Sequence, residues 1–109
     1  MITKRRISAA RTMLEKHAGG VLTLGMLVRA IREGESWSLT DLAEKLKVTR
    51  AFVSNIEHGK PVSPEAAARY ARKLGYPEEQ FVRLALQDQV RRAGLKYEVA
   101  VRRLVGATA

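Results

Sequence analysis

Apolar residues recur at helical spacing along most of this chain. Leu24, Leu27, Val28 and Ile31 fall at i, i+3, i+4 and i+7, the stripe that an amphipathic helix turns toward a core. Thr23 stands where that helix needs a capping hydroxyl. Gly34, Glu35 and Ser36 make a polar turn into Trp37. Ser38 and Asp41, three apart, resemble a capping box, and Trp37 with Leu42 has the spacing of a hydrophobic staple. Leu42, Ala43 and Leu46 give the inner face, and the pattern breaks at Lys47 and Val48. Thr49 offers a new cap to a helix carrying Phe52, Val53 and Ile56, which Gly59 can end in a left-handed cap. Ser63-Pro64-Glu65 supplies a cap, a first-turn proline and an acid at the positive end of the next helix. Its inner stripe is Ala67, Tyr70, Ala71 and Leu74, and Gly75 stops it. Pro77, Glu78 and Glu79 open a last helix to about Ala93, with Phe81, Leu84 and Ala85 closing the core. Val82, Leu86 and Val90 form a second stripe on that helix. It serves either a subunit contact or burial on two sides within one monomer.

The two ends read differently. Residues 1–20 hold the cluster Lys4, Arg5, Arg6, then a thin apolar stripe of Ile7, Ala10, Leu14 and Ala18 that predicts a short helix ending at Gly19-Gly20. The cluster is either a solvated start or an arm on DNA phosphate. From Leu95 to Arg102 apolar and mostly polar residues alternate, which predicts a strand. Tyr97, Ala100, Val101 and Leu104 also fit one helical face. As a strand this segment needs a partner, the obvious one being the same strand of a second subunit. Gly106 to Ala109 should be loose. The expected organisation is thus a basic extension (1–20), a helical domain (21–93), and a dimerisation or partner-binding tail (94–109). Within the domain, two short helices joined by about three residues across Ser38–Gly59 have the spacing of a helix-turn-helix.

Composition narrows the function. A chain of 109 residues is one small domain with tails. Twenty Lys and Arg against 11 Asp and Glu give a formal charge of +9 and, with it, a pI near 10.5, which draws the protein to a polyanion. The longest uncharged run, His17 to Val28, is broken by glycine and too short to span a bilayer. Lys4, Arg5 and Arg6 could start a signal peptide, but Ser8, Arg11 and Glu15 interrupt the apolar stretch it requires. A cytoplasmic protein with no membrane association is expected. The absence of cysteine excludes disulfides and thiolate chemistry. His17 and His58 lack companions at ligand spacing, so no metal is expected. Ser54 and His58 share a helix face with no third group to orient them, and Gly59-Lys60 lacks the upstream glycine of a phosphate loop. Neither enzymatic activity nor a cofactor is expected.

From about Leu24 to Leu86 the chain resembles the phage-repressor and Cro-type (Xre) helix-turn-helix domains. The matching features are Arg32 six residues before Ser38, the pair Leu42-Ala43, Val48-Thr49, Ser54, the run Ile56-Glu57-His58-Gly59, and Ala71 with Leu74-Gly75. Two positions depart from the pattern. Lys47 stands where the family usually has glycine, and Leu39 where a phosphate-contacting glutamine is common. The resemblance implies an all-α, five-helix domain whose third helix reads the major groove of double-stranded DNA. By position Arg50, Ala51 and Asn55 face base edges: Arg50 suits guanine, Asn55 adenine or phosphate, and Ala51 a thymine methyl. Thr49, Ser54 and Lys60 contact phosphate, with Lys47 as an addition. Phe52 either packs between helices or lies beside the DNA. Arg32 and Glu57 form a structural ion pair. The expected function is a transcriptional repressor, a homodimer on a palindromic operator. An antitoxin-type protein that also captures a toxin or other regulator through its terminal segments is the alternative, and a pure adaptor is disfavoured by the outward donors.

Overall fold

A computed structural model describes residues 21–106 of the chain. Five helices follow one another: α1 (Leu24–Gly34), α2 (Leu39–Leu46), α3 (Arg50–Glu57), α4 (Pro64–Leu74) and α5 (Glu78–Arg92). No strand occurs among the described residues. The extension predicted over residues 1–20, with its short helix and its basic cluster, lies outside the described residues.

Four of the five helices start where a hydroxyl can take the backbone donors they leave free. Thr23, Ser38, Thr49 and Ser63 accept from the N–H groups of Met26, Asp41, Phe52 and Ala66 at 3.0–3.1 Å. At α2 the capping box is complete, because the Ser38 N–H donates to Asp41 Oδ2 at 2.9 Å. α5 begins at Pro77 without a side-chain cap. Glu78 and Glu79 in its first turn supply the negative charge that the helix dipole favours.

The helix ends share one device. In each, an N–H just beyond the helix bonds back to a carbonyl five residues earlier: Trp37 to Arg32, Val48 to Ala43, Lys60 to Asn55, Tyr76 to Ala71 and Leu95 to Val90. This closure needs a left-handed residue immediately before the donor. Gly59, Gly75 and Gly94 supply it without steric cost, whereas Ser36 and Lys47 adopt it at φ 59° and 60°.

The apolar stripes converge on a single core. Leu24, Leu27, Val28 and Ile31 from α1 meet Leu42 and Leu46 from α2, Val53 and Ile56 from α3, Tyr70 and Leu74 from α4, and Phe81 and Leu84 from α5. No polar or charged residue is buried among the described residues. α4 packs against α5, α2 packs on α3 and α4, and α1 lies against α3 and α5. Phe52, Trp37 and Leu39 sit half-buried at the margin of this core.

The tail departs from both sequence expectations. Residues 95–104 are neither strand nor helix. A strand requires a neighbouring backbone to pair with, and within one copy none of the described segments provides it. The Gln87 side chain takes that place, as set out below. Val82, Leu86 and Val90 are half-buried.

Candidate nucleic-acid interface

The outward face of α3 is set by what its inward face must do. Val53 and Ile56 are fully buried, so the helical period turns Ala51 and Asn55 to the opposite side, with Arg50 on the flank at the start of the helix, and all three are exposed. Arg50 is the first residue of α3. Neither its guanidinium nor the Asn55 amide has a partner among the described residues. Thr49 is exposed, and its Oγ1 accepts from Phe52 N–H. Its hydroxyl proton therefore remains to be donated. Ser54 is half-buried on the same helix, with its carbonyl 2.7 Å from His58 Nδ1.

Cations flank this face. Lys47 is exposed at the α2–α3 turn, where its left-handed backbone closes α2. Lys73 Nζ donates to the Leu46 carbonyl at 3.1 Å, placing a second cation at the negative end of that helix. Beyond α3, the Lys60 ammonium lies 4.5 Å from the centre of the Phe52 ring, a cation–π contact. Phe52 thus does both things weighed for it: one side packs against the core, and its ring face holds Lys60. Between Lys45 and Pro64 the sole acid is Glu57, and it is turned away from the outward face.

Glu57 is committed to Arg32. Arg32 Nε donates to Glu57 Oε2 at 2.7 Å and Nη2 to Oε1 at 3.1 Å, a two-pronged pair with its side chains only 16% and 5% exposed. Arg32 Nη1 also donates to the Trp37 carbonyl at 3.0 Å. One guanidinium therefore joins α1, the turn before α2, and the last turn of α3. Its hydrogen bond to Glu57 raises its pKa, outweighing the burial that lowers it.

Two structural residues behind the site escaped the sequence reading. A Cβ on Gly25 would lie 2.2 Å from the Ile56 carbonyl oxygen and 3.2 Å from the Glu57 carbonyl carbon. α1 can approach the end of α3 this closely because residue 25 has no side chain. The available signal was a glycine inside an apolar helical stripe. The second is Asp88 on α5, whose Oδ2 accepts from Leu24 N–H at 3.1 Å while Oδ1 accepts from Arg91 at 3.0 Å. No local pattern announces it, since its two helices are 64 residues apart in sequence. A cleft lined by Thr23, Gly59, Asp88, Arg91 and Arg92 joins the start of α1, the end of α5 and the loop after α3. Arg92 is exposed there.

No group of acidic residues or histidines among the described residues could hold a metal ion. No helix among them is long and apolar enough to cross a membrane. The arrangement offers outward hydrogen-bond donors on a short helix, cations at both of its ends, and a rigid brace behind it. Such a surface can dock in a groove of a polyanionic duplex. Among known proteins, no curated protein and no solved structure matches the chain at a significant level. The model of one family, described as helix-turn-helix, matches residues 28–81, which run from α1 through α2, α3 and α4 into α5. The fold, its outward α3 and this match agree: the chain belongs to the Xre/Cro-type helix-turn-helix family of DNA-binding transcription regulators.

Proposed function

We propose that this regulator is a repressor that binds a palindromic operator as a homodimer, inserting α3 of each copy into successive major grooves about 34 Å apart. Repression then follows from occupancy of the site, with no chemistry. The observation that carries this reading is the exposed Arg50 at the first position of α3, without a partner among the described residues and beside the exposed pair Ala51 and Asn55. Arg50 takes guanine O6 and N7, Asn55 takes adenine or phosphate, and Ala51 touches a thymine methyl. Thr49, Ser54, Lys60 and Lys47 hold phosphate. Arg32 and Glu57 keep the end of α3 fixed against α1.

Selection of bound DNA from a random pool should return a twofold-symmetric site with half-sites one helical turn apart. Arg50→Ala should then cost about 1–3 kcal/mol on that site and relax the preference at one base pair. Unchanged affinity would remove Arg50 from the reading set.

A second reading draws on the tail, where Leu95, Tyr97, Leu104 and Val105 are exposed. An antitoxin-type regulator would use such a segment to hold a toxin or another regulator. A toxin-like reading frame beside the gene and co-purification of its product favour that reading, and their absence favours the plain repressor.

A further inference from the structure

One edge of the tail is already occupied by a side chain. Gln87 Nε2 donates to the Tyr97 carbonyl at 2.8 Å, and the Val99 N–H donates to Gln87 Oε1 at 2.8 Å. A single amide takes the carbonyl before Glu98 and the N–H after it, the two groups that one residue of a parallel neighbouring strand would take. Those groups point to one side when residue 98 is extended. Farther on, Arg103 reaches Glu79 at 3.1 Å and Glu78 at 3.9 Å. The segment therefore runs back along α5 toward its first turn.

The opposite edge is open. In an extended chain the backbone groups of Lys96, Glu98, Ala100 and Arg102 face away from Gln87, and they make no hydrogen bond among the described residues. Four of the five large apolar residues exposed among the described residues, Leu95, Tyr97, Leu104 and Val105, lie in this segment. Such a concentration marks a contact surface. Gly94 and Gly106 stand at its two ends, both left-handed at φ 75° and 78°. They delimit residues 95–105, with Ala100 at the midpoint.

The sequence is complementary to itself about that midpoint. In an antiparallel pairing centred on Ala100, Glu98 lies opposite Arg102 of the second copy and Arg102 opposite its Glu98. Val99 faces Val101, Leu95 faces Val105, and no two like charges meet. Centring on Glu98 sets two carboxylates against each other. Centring on Val99 sets Lys96 against Arg102. Centring on Tyr97 leaves only three residues, Gly94 to Lys96, between the axis and the helix cap at Ala93. We propose that residues 95–105 pair antiparallel with the same segment of a second copy about a twofold axis through Ala100, forming a two-stranded ribbon backed by both α5 helices. This rests on the homodimer reading and supplies its contact. Gln87 closes the inner edge, so the ribbon stops at two strands.

The chain has no cysteine, which makes crosslinking clean. Ala100→Cys in the full chain should oxidise to a covalent dimer, because paired Cα atoms across such a ladder lie about 5.5 Å apart. Tyr97→Cys, about 20 Å from its mate in this register, should not. Glu98→Arg and Arg102→Glu should each weaken self-association about tenfold in sedimentation, and the double reversal should restore it to within about twofold. Helix content by circular dichroism checks that every variant is folded. A dimer that crosslinks at position 97 and not at 100, or ignores the charge reversals, overturns the ribbon and leaves the homodimer standing. A folded wild-type protein that stays monomeric at every concentration overturns both.

Discussion

Two residues show how narrowly α3 is held. Gly25 lets α1 touch the carbonyls at the end of α3, and an alanine there would put a methyl 2.2 Å from the Ile56 oxygen. Backbone on both sides leaves no flexible neighbour to yield. Alanine gains about 1 kcal/mol in helix propensity over glycine, yet prising two packed helices apart costs more. Gly25→Ala should destabilise the protein by about 2–3 kcal/mol in denaturant titration. Lys47 presents the opposite case. Its left-handed backbone costs about 1–2 kcal/mol, partly offset because glycine would lose more entropy on folding. Lys47→Gly should therefore raise stability by about 0.5 kcal/mol while weakening DNA binding through the lost cation. A variant that binds DNA as tightly as the wild type would show that Lys47 touches no phosphate. The Lys47 departure from the family was visible in the sequence, and so was the glycine in the α1 stripe. What glycine 25 lies against was not, because Ile56 is distant along the chain.

At the scale of helices, what could be read in advance was whatever the chain encodes locally. Thr23, Ser38, Thr49 and Ser63 each sit directly before the helix they cap, and the 3.6-residue period behind them fixes the buried face, so four starts followed from spacing and the fifth from Pro77 with Glu78 and Glu79, while the set Arg50, Ala51 and Asn55 came from the family resemblance. Asp88 on the α1 terminus, Lys73 on the α2 terminus and Gln87 on the tail did not follow, since each acts on a backbone group brought to it by packing. The pairing of the tail was illegible for the same reason: alternation specifies an extended chain but not whether a backbone or a side chain will pair with each of its edges. The α2 capping box makes a testable contribution to stability. The Ser38 N–H, then the Ser38 hydroxyl, hold the Asp41 carboxyl below its ordinary value of 3.8. A depressed native pKa means stability that is fully present above the unfolded value and is lost as pH falls through the native one. Asp41→Asn should flatten the acid limb of the stability profile below about pH 4, measured by thermal melts, and leave the profile near neutrality parallel to that of the wild type. An acid limb unchanged by the substitution would assign it to other carboxylates.

Across the whole molecule, charge and geometry make different predictions about DNA. A formal charge of +9 attracts any polyanion, and attraction by net charge alone does not depend on which cation is removed. Contact does. Lys60 is exposed at the end of α3 with its ammonium held over Phe52, whereas Arg72 is paired with Glu78 at the corner between α4 and α5. Neutralising either one lowers the net charge by the same amount. Each cation that sits on a phosphate releases a counterion, steepening the dependence of log K on log salt by about 0.9. Lys60→Gln removes one such contact from each copy of the proposed dimer and should therefore reduce the measured slope by about two, and Arg72→Gln should leave it unchanged within error. Phe52→Leu should fall between them, because it keeps the packing of an apolar side chain at the core margin but removes the ring that holds the ammonium. Equal slopes for Lys60→Gln and Arg72→Gln would mean that binding responds to total charge and that the end of α3 is not where the protein meets the backbone of DNA.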